Sequence, residues 1–156
     1  MDPSTARARP LVRARLGWLL KHANLRLTEL NRAALAPHGI EGRELAVLLS
    51  LDEREPLSQR EAALRLGIDR TTMVALVDEL EGKGLVERRP HPADRRKNVV
   101  TFTEHGRETL QRAVAAADEA ERRFLAPLPA QEAHAFRDTL RRLIAEDADG
   151  AGTQTT

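Results

Sequence analysis

Apolar residues recur three or four positions apart along most of the chain, the spacing that puts them on one face of a helix. Between Leu11 and Leu35 the stripe is Leu16, Leu19, Leu20, Ala23, Leu27, Leu30 and Ala34. Pro10 suits the first turn of this helix, and Pro37 and Gly39 stop it. Glu44 to Asp52 reads as a short second helix with Leu45, Leu48 and Leu49 on one face, and Pro56 closes the segment. Ser58-Gln59-Arg60-Glu61 has the form of a capping box and opens a third short helix that ends at Gly67. Asp69 is placed to cap a fourth helix, whose stripe is Met73, Leu76, Val77 and Leu80 and whose end is marked by Gly82 and Gly84. The period then changes. Leu85–Arg89 and the β-branched run Val99-Val100-Thr101-Phe102-Thr103 read as strands around a polar nine-residue loop, 90–98. Thr103 can cap a long helix to about Leu125 with Leu110, Val114, Ala117 and Phe124 inward. After Pro127 and Pro129 a last helix runs from Ala130 to Glu146, striped by Ala133, Phe136, Leu140, Leu143 and Ile144. The ends, residues 1–10 and 148–156, read as flexible.

The predicted order is four helices, two strands and two helices: a mainly α fold with a small β-hairpin. Two short helices joined by Leu66-Gly67-Ile68-Asp69 and followed by a hairpin have the layout of a winged helix-turn-helix. In that layout the second helix, about 69–82, enters the major groove of DNA with its N-terminal residues leading. Its face opposite the buried stripe offers Arg70, Thr71, Thr72, Ala75 and Asp78. Short hydroxyls and one arginine suit base edges and phosphates, and Ala75 allows close approach or meets a thymine methyl. Ser58 and Gln59 open the preceding helix, which crosses the backbone. The hairpin tip, 90–98, carries Arg95, Arg96 and Lys97, cations able to enter a narrow minor groove. Asp94 there reads as an internal acceptor that fixes the turn. Arg88, Arg89 and His91 are candidate backbone contacts.

Charge supports this reading. The 156 residues sum to a net charge of only +1, but the balance is uneven. Residues 83–103 hold six basic against two acidic side chains, and residues 1–32 seven against two, so a near-neutral total conceals two basic segments. A basic run also serves as a plain solvated face, and capping boxes occur in all kinds of helices; it is their conjunction that points to DNA. Cysteine is absent, which excludes disulfides, thiolate metal sites and cysteine redox sensing. The five histidines are scattered without metal-ligand spacing, and no phosphate-binding glycine loop or nucleophile elbow occurs. The expectations are no cofactor, no metal and no enzyme. With no apolar run near the ~20 residues of a membrane span and no signal-like N-terminus, the expected location is the cytoplasm.

The stretch Asp94-Arg95-Arg96-Lys97-Asn98-Val99-Val100-Thr101-Phe102-Thr103-Glu104-His105-Gly106 resembles the wing signature of the MarR family of bacterial transcriptional regulators. Upstream, Leu76-Val77-Asp78-Glu79-Leu80-Glu81-Gly82-Lys83-Gly84-Leu85-Val86-Glu87-Arg88 is similar to that family's recognition-helix exit. The resemblance spans roughly residues 11–146. It implies a homodimer in which helices at 11–36 and 104–147 pair with a second copy, and a DNA-binding lobe at 42–103. It also implies double-stranded DNA as partner, a pseudo-palindromic operator and, usually, repression. One departure stands out: Ala75 occupies a position where the family often has a basic residue, which moves base reading toward Arg70, Thr71 and Thr72. Many relatives are released by small aromatic acids, and Arg15, Trp18 and His22 on the first helix form a candidate effector site by charge and stacking. The alternative is a winged helix that serves only protein interaction or dimerisation.

Overall fold

The computed structural model describes residues 13–52, 59–91 and 94–150, with 59, 91, 94–98 and 146–150 described by their backbone alone. The elements are α1 (Leu16–Leu35), α2 (Gly42–Leu51), α3 (Gln59–Leu66), α4 (Arg70–Gly82), β1 (Val86–His91), β2 (Asp94–Phe102), α5 (Glu104–Leu125) and α6 (Ala130–Gly150). A single 3-10 turn, Ala36–His38, links α1 to α2. The mainly α fold with one antiparallel hairpin is the expected one.

Local chemistry accounts for the boundaries. Arg15 is the N-cap residue of α1, which starts at Leu16; Pro10 and Leu11 lie outside the described residues. Gly39 ends the 3-10 turn at a left-handed φ of 68°. The second helix begins two residues before Glu44, because the Glu41 N–H donates to Glu44 Oε2 at 2.8 Å and closes the first turn. On α2, Leu45, Val47 and Leu48 are buried, whereas Leu49 is exposed. The inward face is therefore centred on Val47 and Leu48, one position off the expected stripe. The Ser58 capping box lies outside the described residues.

Helices α3 and α4 end in the same way. Ile68 N–H reaches back to Ala63 O and Gly67 N–H to Leu64 O; Leu85 N–H reaches Leu80 O and Gly84 N–H reaches Glu81 O. Both are Schellman closures, which need a left-handed residue, here glycines at φ 62° and 69°. Met73, Val77 and Leu80 of α4 pack with Leu45, Val47 and Leu48 of α2, Ala62 and Ala63 of α3, Leu85, and Val86 and Val100 of the hairpin. Glu44 is buried in this lobe, and Lys83 Nζ holds both its oxygens at 2.6 and 2.7 Å, joining α2 to the end of α4. Removing the Lys83 ammonium would leave the buried Glu44 charge uncompensated.

The hairpin departs from expectation. Its strands run to His91 and from Asp94, so seven of the nine positions of the predicted loop 90–98 lie within strand bounds. Register is regular from Val86↔Phe102 to Pro90↔Asn98, then shifts to His91↔Asp94. Pro90 has no N–H to continue the ladder. Arg95, Arg96 and Lys97 thus fall between paired positions, as a three-residue bulge on β2. The base of the hairpin is tied to α5. Thr103 N–H donates to Leu85 O at 3.1 Å; its hydroxyl donates to Gly84 O at 2.6 Å and accepts the Gly106 N–H at 2.9 Å. This is the expected Thr103 cap, with a second function as a staple.

The chain divides into two compact units at Glu121/Arg122, with α5 crossing the division. In the first unit α5 buries Thr109, Leu110, Ala113 and Ala120. In the second, α6 continues to Gly150 instead of ending at Glu146, so residues 148–150 are helical rather than tail. On α6, Phe136, Leu143 and Ile144 are exposed, as are Leu16, Leu19, Leu20 and Leu25 on α1. No described helix is long and apolar enough to cross a membrane.

Candidate nucleic-acid interface

Asp69 sets the start of α4. Its Oδ1 accepts the Thr72 N–H at 2.9 Å and its Oδ2 accepts the Thr72 hydroxyl at 2.6 Å. The Thr72 hydroxyl, and then its N–H, hold the Asp69 carboxyl below its ordinary value. Thr72 is half-buried and its hydroxyl is engaged, whereas Arg70, Thr71 and Ala75 are exposed. Thr71, Ala75 and Asp78 follow one another at helical spacing along the outer face. The sequence grouped Thr71 with Thr72; the cap separates them.

The second half of that face is acidic: Asp78, Glu79 and Glu81 are all exposed. Arg88, on β1, reaches back to it. Its Nη2 donates to Asp78, its Nη1 to Glu81, and its backbone N–H to Glu81 Oε1 at 3.2 Å. Burial alone would pull the Arg88 pKa down, but hydrogen bonds and charge from Asp78 and Glu81 outweigh it and hold the guanidinium above its ordinary value. Arg89 lies on the exposed side of β1, 2.6 Å from Glu87. The backbone at His91 and Asp94 pairs across the hairpin, next to the Arg95–Lys97 bulge. Gln59 opens α3, and Ser58 lies outside the described residues.

Of the candidate effector residues, Trp18 and His22 come together. Their rings stack with centroids 3.7 Å apart and planes at 20°, and His22 Nδ1 lies 2.8 Å from Trp18 O. Arg15 is at the N-cap one turn earlier. A cavity of about 800 Å³ lies elsewhere, between α1 and the start of α2, lined by Asn24, Thr28, Asn31, Arg32, Arg43 and Lys83 among others. Asn31 Oδ1 is buried without a hydrogen-bond partner. Sequence reasoning missed this cavity; its signal was the polar spacing of Asn24, Thr28, Asn31 and Arg32, a second face on a helix read only for leucines. Among the described residues, no three His, Asp or Glu side chains gather as a metal-ligand set.

A short helix, a glycine turn, an exposed second helix and a two-stranded wing define a winged helix-turn-helix protein. The chain belongs to the MarR family of transcriptional regulators. The family's sequence profile matches residues 38–97. Over 136 residues the chain is 29% identical to the HTH-type transcriptional repressor NicR of Pseudomonas putida, covering 87% of this chain and 86% of the relative. CouR from Rhodococcus jostii RHA1, solved bound to p-coumaroyl-CoA, is 34% identical with a TM-score of 0.74, over 85% of this chain and 93% of CouR. The Mycobacterium tuberculosis MarR family protein Rv2887, solved in complex with DNA, is 32% identical with a TM-score of 0.72, over 83% and 98%.

Proposed function

We propose that this protein is a homodimeric repressor that occupies a pseudo-palindromic operator and is released by a small aromatic acid or its conjugate. The observation that carries the reading is the exposed Arg70–Thr71–Ala75 face of α4, in one lobe with a hairpin that bulges at Arg95, Arg96 and Lys97. Residues 42–103 form the DNA-reading lobe. The helices at 11–36 and 104–147 pair with a second copy, as their exposed leucines require. Arg70 and Thr71 read bases, Ala75 permits close approach, and Gln59, Arg89 and the wing cations hold phosphates or the minor groove. The protein performs no chemistry: its output is occupancy of DNA. NicR is a named repressor, CouR binds an aromatic acyl-CoA and Rv2887 binds DNA; these likenesses support the reading. For the effector, the Trp18–His22 stack offers an aromatic surface and the α1–α2 cavity offers volume, cations and an unpartnered Asn31 oxygen.

The test is fluorescence anisotropy with DNA from upstream of the protein's own gene against random DNA, across a salt series. Selective binding whose logarithm falls linearly with log salt, at about 0.9 per phosphate neutralised, is expected. With half-sites about 10 base pairs apart, one dimer should fill each site. Arg96→Ala should weaken both DNAs and lower the slope by about one, whereas changes at Thr71 should shift sequence preference. Weak, equal binding on this DNA and on duplexes selected genome-wide would overturn the reading.

A further inference from the structure

The outer face of α4 changes sign along its length. Its first two turns present Arg70, Thr71 and Ala75; its last two present Asp78, Glu79 and Glu81. Carboxylates beside a polyanion are unfavourable, and nothing in base reading requires three of them together. The fold answers with one cation. Asp78 and Glu81 stand three residues apart on the same face, and the Arg88 guanidinium reaches both while its own N–H binds Glu81 Oε1. The Arg88 side chain is 25% exposed, against 59% for Asp78 and 40% for Glu81. The guanidinium is thus the most enclosed member of the three. A phosphate that approached it would meet two carboxylates already on its donors. Arg88 sits opposite Val100 on the hairpin, two positions before Pro90, where the register breaks.

We propose that Arg88 is a positioning residue for operator selection and makes no phosphate contact: its two-carboxylate clamp neutralises the acidic end of α4 and fixes the angle between that helix and the wing. The proposal rests on the operator-binding reading above. Only an arginine can do this, because its planar fork presents several donors in fixed directions, whereas a lysine ammonium is a point charge. An angle set in this way matters to a site that must be met by helix and wing together. It matters little to random DNA, which is held by charge alone.

The experiment uses the full chain and two duplexes: one enriched from a random-sequence library with the wild-type protein, and a scrambled duplex of equal length. Arg88→Ala should weaken the enriched duplex by about tenfold or more and the scrambled one by less than about threefold, and Arg88→Lys should follow Arg88→Ala. Equal losses on both duplexes, a salt slope lower by about one and recovery with Lys would identify a phosphate contact and overturn the proposal. Circular dichroism checks that each variant is folded. If Arg88→Ala is not, Asp78→Asn and Glu81→Gln keep the arginine and open the clamp. They should lower the ratio of the two affinities although each adds positive charge; tighter binding to both duplexes with the ratio intact would overturn the proposal. If the library enriches no sequence, the operator reading fails, and the clamp is judged without DNA by amide exchange. Faster exchange across residues 78–91 in Arg88→Lys supports it, and unchanged exchange refutes it.

Discussion

In the winged lobe Leu45, Leu48, Val77 and Leu80 are buried, whereas in the terminal helices Leu16 is 67% exposed and Ile144 72%. Both sets follow the same three-and-four spacing. The lobe closes its stripes on one another through short helices, two glycine closures and the Thr103 staple. Helices α1 and α6 are longer, and each leaves leucine or isoleucine open along one side. Contiguous apolar surface of that kind marks an interface, and members of this family are dimers. Identical periodicity therefore has two meanings: core where the chain folds back on itself, and docking surface where it does not.

The largest effect should come from breaking the self-contained side of this comparison. A Cβ on Gly106 would lie 1.8 Å from Leu85 O, a backbone atom that already accepts the Thr103 N–H. Neither side can yield without parting α5 from the hairpin. Gly106→Ala should cost on the order of 3 kcal/mol or more, read as a lowered urea midpoint together with loss of DNA binding. Gly42→Ala is the control, since nothing lies within 4 Å of its Cβ position; it should leave the midpoint unchanged or slightly raised. Equal behaviour of the two variants would refute the staple.

The next effect sharpens the other side. Leu20→Glu combined with Ile144→Glu places charge on both exposed stripes. Light scattering behind size exclusion should then report a monomer, while far-UV circular dichroism keeps the helical signal of the lobe. Loss of the second reading head should weaken the operator by about 100-fold or more, because bivalent attachment is removed. A variant that stays dimeric would place the interface elsewhere.

The elements themselves were legible because capping and punctuation are local chemistry. Asp69, Thr103, Gly67 and Gly84 act within five residues of their own positions along the helix ends they close. What the residues left hidden was long-range or geometric. No pattern along the chain shows Arg88 folding back to residues seven and ten positions earlier, nor Lys83 reaching a glutamate 39 positions away. The outer part of the wing, 90–98, read as a loop because it is rich in charge and proline, so propensity pointed to strand only at Leu85–Arg89 and Val99–Thr103. Thr71 and Thr72 look alike in sequence; only the cap geometry shows that one hydroxyl is engaged and the other is open. The family resemblance supplied the dimer, and the exposed stripes supply its physical reason.

The smallest effect tests how the self-contained lobe holds the reading face in place. The Asp69 carboxyl is held below its ordinary value by the Thr72 hydroxyl and N–H. The unfolded chain returns it to about 3.9. Between those two values the unfolded state binds more protons than the native state, so stability rises with pH across the interval. The contribution is fully present above about pH 4 to 5 and is lost as pH falls through the depressed native value. Asp69→Ala should lower the urea midpoint by a constant amount from neutral pH down to about pH 5, by less than Gly106→Ala does, and the gap to wild type should close below about pH 4. Asp69→Asn keeps a capping oxygen without the titration, so it should retain most of the midpoint at neutral pH and show no closing gap of its own. Because Arg70 and Thr71 occupy the turn that Asp69 caps, Asp69→Ala should also lose selectivity between operator and random DNA at neutral pH, where the fold is intact. A gap that persists unchanged to pH 3, or selectivity untouched by Asp69→Ala, would mean that the reading face is held by the packing of Met73 and Val77 alone and that the cap is incidental to it.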